Sequence, residues 1–201
     1  MNTIQIGILC TGLLLLGTGC RQNSSPVAPD PNYAVYSAII DSDCPTTQSG
    51  QQAFLIINPK TAKPGISDWN SLIQQINQPS ISNDPAWQQF ILSIDSTAFN
   101  TNPLTGSVPS TCFRTQVLTD EQWMHYFGTP TNPGIEGLRN DFSGFSSYLT
   151  FSSVVYSADQ TKAICYRASV CGGLCGSGNL FFLERKSATW TVVGSVLLWI
   201  S

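Results

Sequence analysis

Short helical patterns with polar connections fill the middle of this chain, and strand-like runs fill its last third. In NYAVYSAII, Tyr33, Tyr36 and Ile40 recur at three- and four-residue steps with Ile39 beside them, which predicts a short helix. Ser67-Asp68-Trp69 opens a second helix carrying Leu72, Ile73 and Ile76. Ser82-Asn83-Asp84-Pro85 starts a third, because a capping oxygen precedes a proline whose missing N–H costs nothing in a first turn. Trp87, Phe90, Ile91 and Ile94 then share one face. Thr119-Asp120-Glu121-Gln122 caps a fourth helix ending near Phe127-Gly128, and a long Pro- and Gly-bearing connection follows from Thr129 to Gly137.

The strand pattern differs in kind. QAFLIIN, residues 52–58, is short, apolar and bounded by Pro59, and reads as a strand. From Tyr148 onward, FSSVVYS, KAICYRASV, NLFFLERK and TWTVVGSVLLWIS make four more, separated by hairpin-sized gaps at 158–161 and 187–188 and by a glycine-rich cysteine loop. The expected fold class is α+β: N-terminal helices preceding a C-terminal antiparallel meander of about four strands, with one more strand near 52–58. Trp190 and Trp199 lie nine apart on the last run, so a regular strand puts them on opposite faces.

At the N-terminus, Ile6–Leu16 is an apolar run of about 16 Å as a helix, against a hydrocarbon core of about 30 Å. It has the length of a signal-peptide core, not of a span. Gly17-Thr18-Gly19-Cys20 follows and resembles the bacterial lipobox, in which a small residue precedes a cysteine that becomes lipidated. Two features depart from that pattern: Gly17 stands where a large aliphatic residue is usual, and Met1–Gln5 carries no Lys or Arg. Residues 1–19 are therefore expected to be a signal peptide and Cys20 a lipidation site. An ordinary secretory signal cut at a small-x-small site is the alternative. Residues 20–31, rich in Pro and Ser, form a flexible tether to a single α+β domain over 32–201.

Composition narrows the partners. Only 10% of residues are charged, against about 25% in average domains. The net charge of −3 and nine scattered Lys and Arg exclude a nucleic-acid face, which needs clustered cations. The expected partners are a membrane, through the N-terminal lipid, and a small ligand or envelope protein of unspecified chemistry. The expected location is the bacterial cell envelope. No cofactor or metal is expected.

Once Cys10 leaves with the signal and Cys20 carries lipid, five cysteines remain. An oxidising compartment favours disulfides. Cys171-Gly-Gly-Leu-Cys175 reads as a loop staple, since two glycines let the backbone close tightly. A redox-active dithiol is the sharper alternative, although thioredoxin-type motifs have two intervening residues and open a helix. Cys44 and Cys112, both in Pro- and Thr-rich loops, are plausible partners for each other. Cys165, inside a strand-like run, reads as a small buried hydrophobe.

Chemistry has few footholds. His125 is the single histidine, so imidazole catalysis must use it. Glu121 stands four residues earlier and can face the same way, which keeps a hydrolase open as an alternative. The glycines at 172, 173, 176 and 178 lack the Lys-Ser or Lys-Thr of a phosphate loop. Asp41-Ser42-Asp43 fails as a calcium loop, with Pro45, Thr46 and Gln52 where ligands and a turn glycine belong. Glu136 and Asp141 flank a loop without a known separation. A binding or structural module is favoured over an enzyme.

The stretch CGGLCGSGNLFFLERKSATWTVVGSVLLWIS resembles the closing module of uncharacterised bacterial envelope lipoproteins, over Cys171 to Ser201. It implies an envelope context and assigns no catalytic residue. The final hairpin is also similar to NTF2-like cones, which implies helices preceding a curved antiparallel sheet.

Overall fold

The computed structural model describes residues 30–45, 52–66, 68–95 and 97–201. The expected signal, Cys20 and most of the tether lie outside these residues. The first helix, α1 (Pro31–Asp41), starts where Asp30 accepts the Asn32 N–H and Pro31 occupies the first turn. Its face of Val35, Tyr36, Ile39 and Ile40 is buried. After β1 (Phe54–Ile57) come α2 (Trp69–Gln75), α3 (Pro79–Ser82) and α4 (Pro85–Leu92). Asp68 caps α2, and Asp84 caps α4 with Pro85 behind it. Then β2 (Arg114–Val117) leads into α5 (Asp120–Phe127), where Thr119 and Gln122 form a reciprocal capping box.

Helix α6 (Gly134–Asp141) occupies part of what the sequence presents as the Thr129–Gly137 connection. Gly134 takes a positive φ of 57° at its start, and Glu136–Arg139 and buried Leu138 hold it. Five strands follow: β3 (Phe145–Phe151), β4 (Val155–Tyr156), β5 (Lys162–Gly172), β6 (Cys175–Lys186) and β7 (Thr189–Ile200). The expected FSSVVYS run is thus split. At the break the Ser152 N–H donates to the Tyr166 carbonyl, and the Ser152 hydroxyl oxygen accepts the Tyr166 N–H, so a side chain stands in the ladder.

All seven strands join one mixed sheet, ordered β2-β1-β3-β5-β6-β7, with β4 on β5. The α+β class holds, and the C-terminal strands pair antiparallel in sequence order. The strand near 52–58 is interior: β1 runs parallel to both β2 and β3. That parallel half departs from the antiparallel sheet implied by the NTF2-like similarity. It also explains the unbroken apolar run FLII, because Leu55 and Ile57 pack towards α1 while Ile56 packs towards α5 and α6.

The sheet's two faces carry different covers. On one, α1 with Leu104 and Val108 packs on Phe151, Cys165, Phe181, Leu183 and Trp190. On the other, α2–α4 cover β5–β7 through Leu72, Ile81, Trp87 and Phe90, while α5 and α6 cover β1 and β3. Fully buried Trp87 satisfies its indole N–H on Glu184 at 3.0 Å. Arg167, buried on the α1 face, donates to Asp43 at 2.5 Å and lies over the Phe181 ring.

Candidate functional site

Among the described residues, most of those that could carry chemistry have a structural occupation, and His125 is the exception. His125 is exposed on α5, and its ring stands edge-on to Tyr126 with centroids 4.8 Å apart. Among the described residues no side chain hydrogen-bonds its imidazole, Glu121 included. The expected acidic pair is separated by its partners. Glu136 binds Arg139 at 2.7 Å, whereas Asp141 accepts the Tyr126 hydroxyl at 2.6 Å. Burial, reinforced by that carboxylate, pushes the Tyr126 phenol up to about 12.

Cys44 and Cys112 lie at disulfide distance with Cα atoms 5.8 Å apart, tying the end of α1 to the segment entering β2. The Asp41 carboxylate sits against this pair, its ligand atom and both sulfurs within 4.8 Å of one another. It accepts the Ser110 hydroxyl at 2.6 Å and the Thr111 N–H at 3.0 Å, so it holds a loop. Asp43 pairs with Arg167, as described above. Two acids at a helix C-terminus, where the dipole disfavours them, are thereby each given a donor.

Cys165 is buried and unpaired, and burial pushes its thiol up to about 12. It stays protonated and packs as the small hydrophobe that its strand context suggests. An open depression between α4 and the turn before β5 is lined by Phe90, Ser93, Asp159 and Lys162. The Lys162 ammonium there is committed to Asp84 and Glu184 and lies over the Trp87 ring. The Ser157 hydroxyl donates to Asp159, with no imidazole beside it.

The remaining feature is the far end of β5, β6 and β7. Cys171 and Cys175 lie at disulfide distance across the hairpin tip, with Cα atoms 5.3 Å apart. Arg139, itself held by Glu136, donates to the Cys171 carbonyl at 2.6 Å and fixes the tip against α6. The glycines that fail as a phosphate loop serve the ladder beside it. Trp199 lies over Gly176 and Gly178, and a Cβ on Gly178 would collide with the indole nitrogen. The indole N–H donates to the Tyr166 hydroxyl at 2.9 Å. Trp190 packs with α1 on the other face, as the nine-residue spacing predicts. Two register shifts between β6 and β7 each leave one extra residue on β7, and together they preserve that parity.

Six large hydrophobic residues are exposed among the described ones, and four belong to this end: Leu174 at 92%, Leu197 at 53%, Trp199 at 37% and Ile200 at 72%. The register places them together, since Ser177 pairs with Ile200 and Gly178 with Trp199, two to four residues from the tip. No side chain from Cys171 to Leu183 or from Ser187 to Ser201 is ionisable beyond cysteine, so no charge rims the patch along its own strands. Sequence reasoning flagged the disulfide and the tryptophans but missed the patch. Its signal, LLWI at the end of an uncharged run, becomes visible only when the cover over β7 is known.

Comparison with protein-family models, with curated proteins and with solved structures found no match to this chain. Among the described residues, no helix is long and apolar enough to cross a membrane. What the domain can do is therefore read from its surface. Among the described residues that surface offers a stapled, apolar edge and no assembled acid, base and nucleophile.

Proposed function

We propose that this chain is a lipid-anchored bacterial envelope protein, held at a membrane through Cys20, whose domain works by binding a protein partner. The observation that carries the binding half is the gathering of Leu174, Leu197, Trp199 and Ile200 at one end of the sheet. Large apolar side chains left exposed together at one end of a sheet cost solubility and mark contact sites on folded domains. The lipobox-like GTGC and the polar tether support the anchoring half. Two cysteine pairs at disulfide distance suit an oxidising compartment, which agrees with export.

Anchoring is tested by fractionating cells that express the full chain and its Cys20→Ala variant. The wild type should sediment with membranes and take up labelled fatty acid, and the variant should do neither. Acylation of the variant would refute the assignment. A second reading, dithiol exchange at Cys171 and Cys175, is favoured only by the exposure of Cys175 at the tip. Under it, C171S/C175S would abolish a disulfide-reductase activity of the wild type. Under the binding reading, neither form reduces a disulfide substrate.

A further inference from the structure

The sheet has two edges, and they are finished differently. At one, β2 is four residues long and opens with Arg114, whose guanidinium donates to the Ser143 carbonyl and lies over Phe54. A short edge carrying a charge resists strand addition. At the other, β7 runs for twelve residues without a charge or a proline. Its first half is sheltered. Trp190 is packed with the α1 residues, and α3 reaches Gly194 and Ser195 through Ile81 and Gln78, whose amide donates to the Ser195 carbonyl. Beyond Ser195, Leu197 and Ile200 stand exposed on one face and Trp199 on the other.

We infer that the Val196–Ile200 half of β7 pairs antiparallel with the same segment of a second copy of this chain. The inference rests on the reading of this end as a binding surface and names its partner. Charge supports a second copy. Two chains of net charge −3 repel in general, but here they would meet along strands with no ionisable side chains. Symmetry supports it as well. Antiparallel pairing about a two-fold axis lets one patch serve both subunits, and it closes at two instead of growing a fibre. The open N–H and C=O groups of both edges would satisfy each other.

A bilayer fits this end less well. The chain enters α1 at the opposite end of the sheet, where the Tyr156 hydroxyl donates to Asn32 and Tyr156 pairs with Ala163. Ala163 and Cys171 stand eight positions apart on β5, about 26 Å of strand. A membrane tether therefore leaves from the end remote from the apolar tip.

The test is sedimentation velocity of the full chain in non-ionic detergent, from low to high micromolar, with acyl mass measured on the same sample. The pairing predicts a concentration-dependent dimer and slowed amide exchange over Val196–Ile200 in the dimer. L197K/I200K should lose the dimer while keeping the wild-type circular dichroism spectrum, and Met124→Lys, at an exposed apolar site elsewhere, should keep it. Running Cys20→Ala beside the wild type separates the two readings, because loss of acylation alone leaves the dimer in place. A chain that stays monomeric, a dimer that survives L197K/I200K, or a monomer that binds phosphatidylcholine vesicles through Leu197 and Ile200 would each overturn the pairing.

Discussion

Gly178 and Trp199 form the tightest side-chain constraint at the sheet's apolar end, because the indole occupies the space a Cβ would need. Gly178→Ala should cost about 1–3 kcal/mol, the usual range for overpacking. Urea unfolding measures the loss, and a shift in tryptophan emission reports displacement of the ring from Tyr166. Arg167 makes a different demand. Its guanidinium is buried on a face otherwise lined by Phe181 and Cys165, and Asp43 is its carboxylate partner. Asp43→Asn leaves that charge underpaired and should destabilise by about 1–3 kcal/mol. Asp159 supplies a pH dependence. The Ser157 hydroxyl, then the Thr161 N–H and hydroxyl, hold its carboxyl down to about 2, below its ordinary 3.8. Its contribution is therefore full above the ordinary value and lost as pH falls through the folded one. The Tm difference between wild type and Asp159→Asn should shrink as pH drops from 5 towards about 2; a constant difference would contradict the bonding.

The two cysteine pairs constrain elements of very different span. Cys44 and Cys112 are 68 residues apart, and Cys171 and Cys175 only four. Loop-closure entropy then gives about 4 kcal/mol for removing the first and about 2 kcal/mol for the second. Chemical denaturation of C44S/C112S and C171S/C175S should reproduce that order. Elements whose determinants are local were legible in the sequence. The Asp84-Pro85 start of α4 and the Thr119–Gln122 capping box are examples, since cap, proline and apolar face sit within a few residues. Strand β2 was not legible. RTQV buries only Val117 and is a strand because β1 lies beside it. Helix α6, GIEGLRND, carries two glycines and a preceding proline, so local propensity argues for a loop and the burial of Leu138 overrides it.

At the scale of the whole molecule, the meander could be read from run lengths and turns, but the insertion of β1 between β2 and β3 could not. Parallel pairing joins segments far apart in sequence and leaves no local trace. The same limit hid the candidate surface. Leu197 and Ile200 look like ordinary strand residues until the reach of α1 and α3 along β7 is known. The cysteines behaved otherwise, because Pro- and Gly-rich contexts mark loops and a strand context marks a core position. Intact mass of the chain purified from membranes, alkylated after denaturation without reductant, tests the central claim most directly. The account predicts a mature chain beginning at an acylated Cys20 with one alkylated thiol, Cys165. A chain beginning elsewhere without acyl mass would contradict the anchor, and three or five alkylated cysteines would contradict the stapled domain.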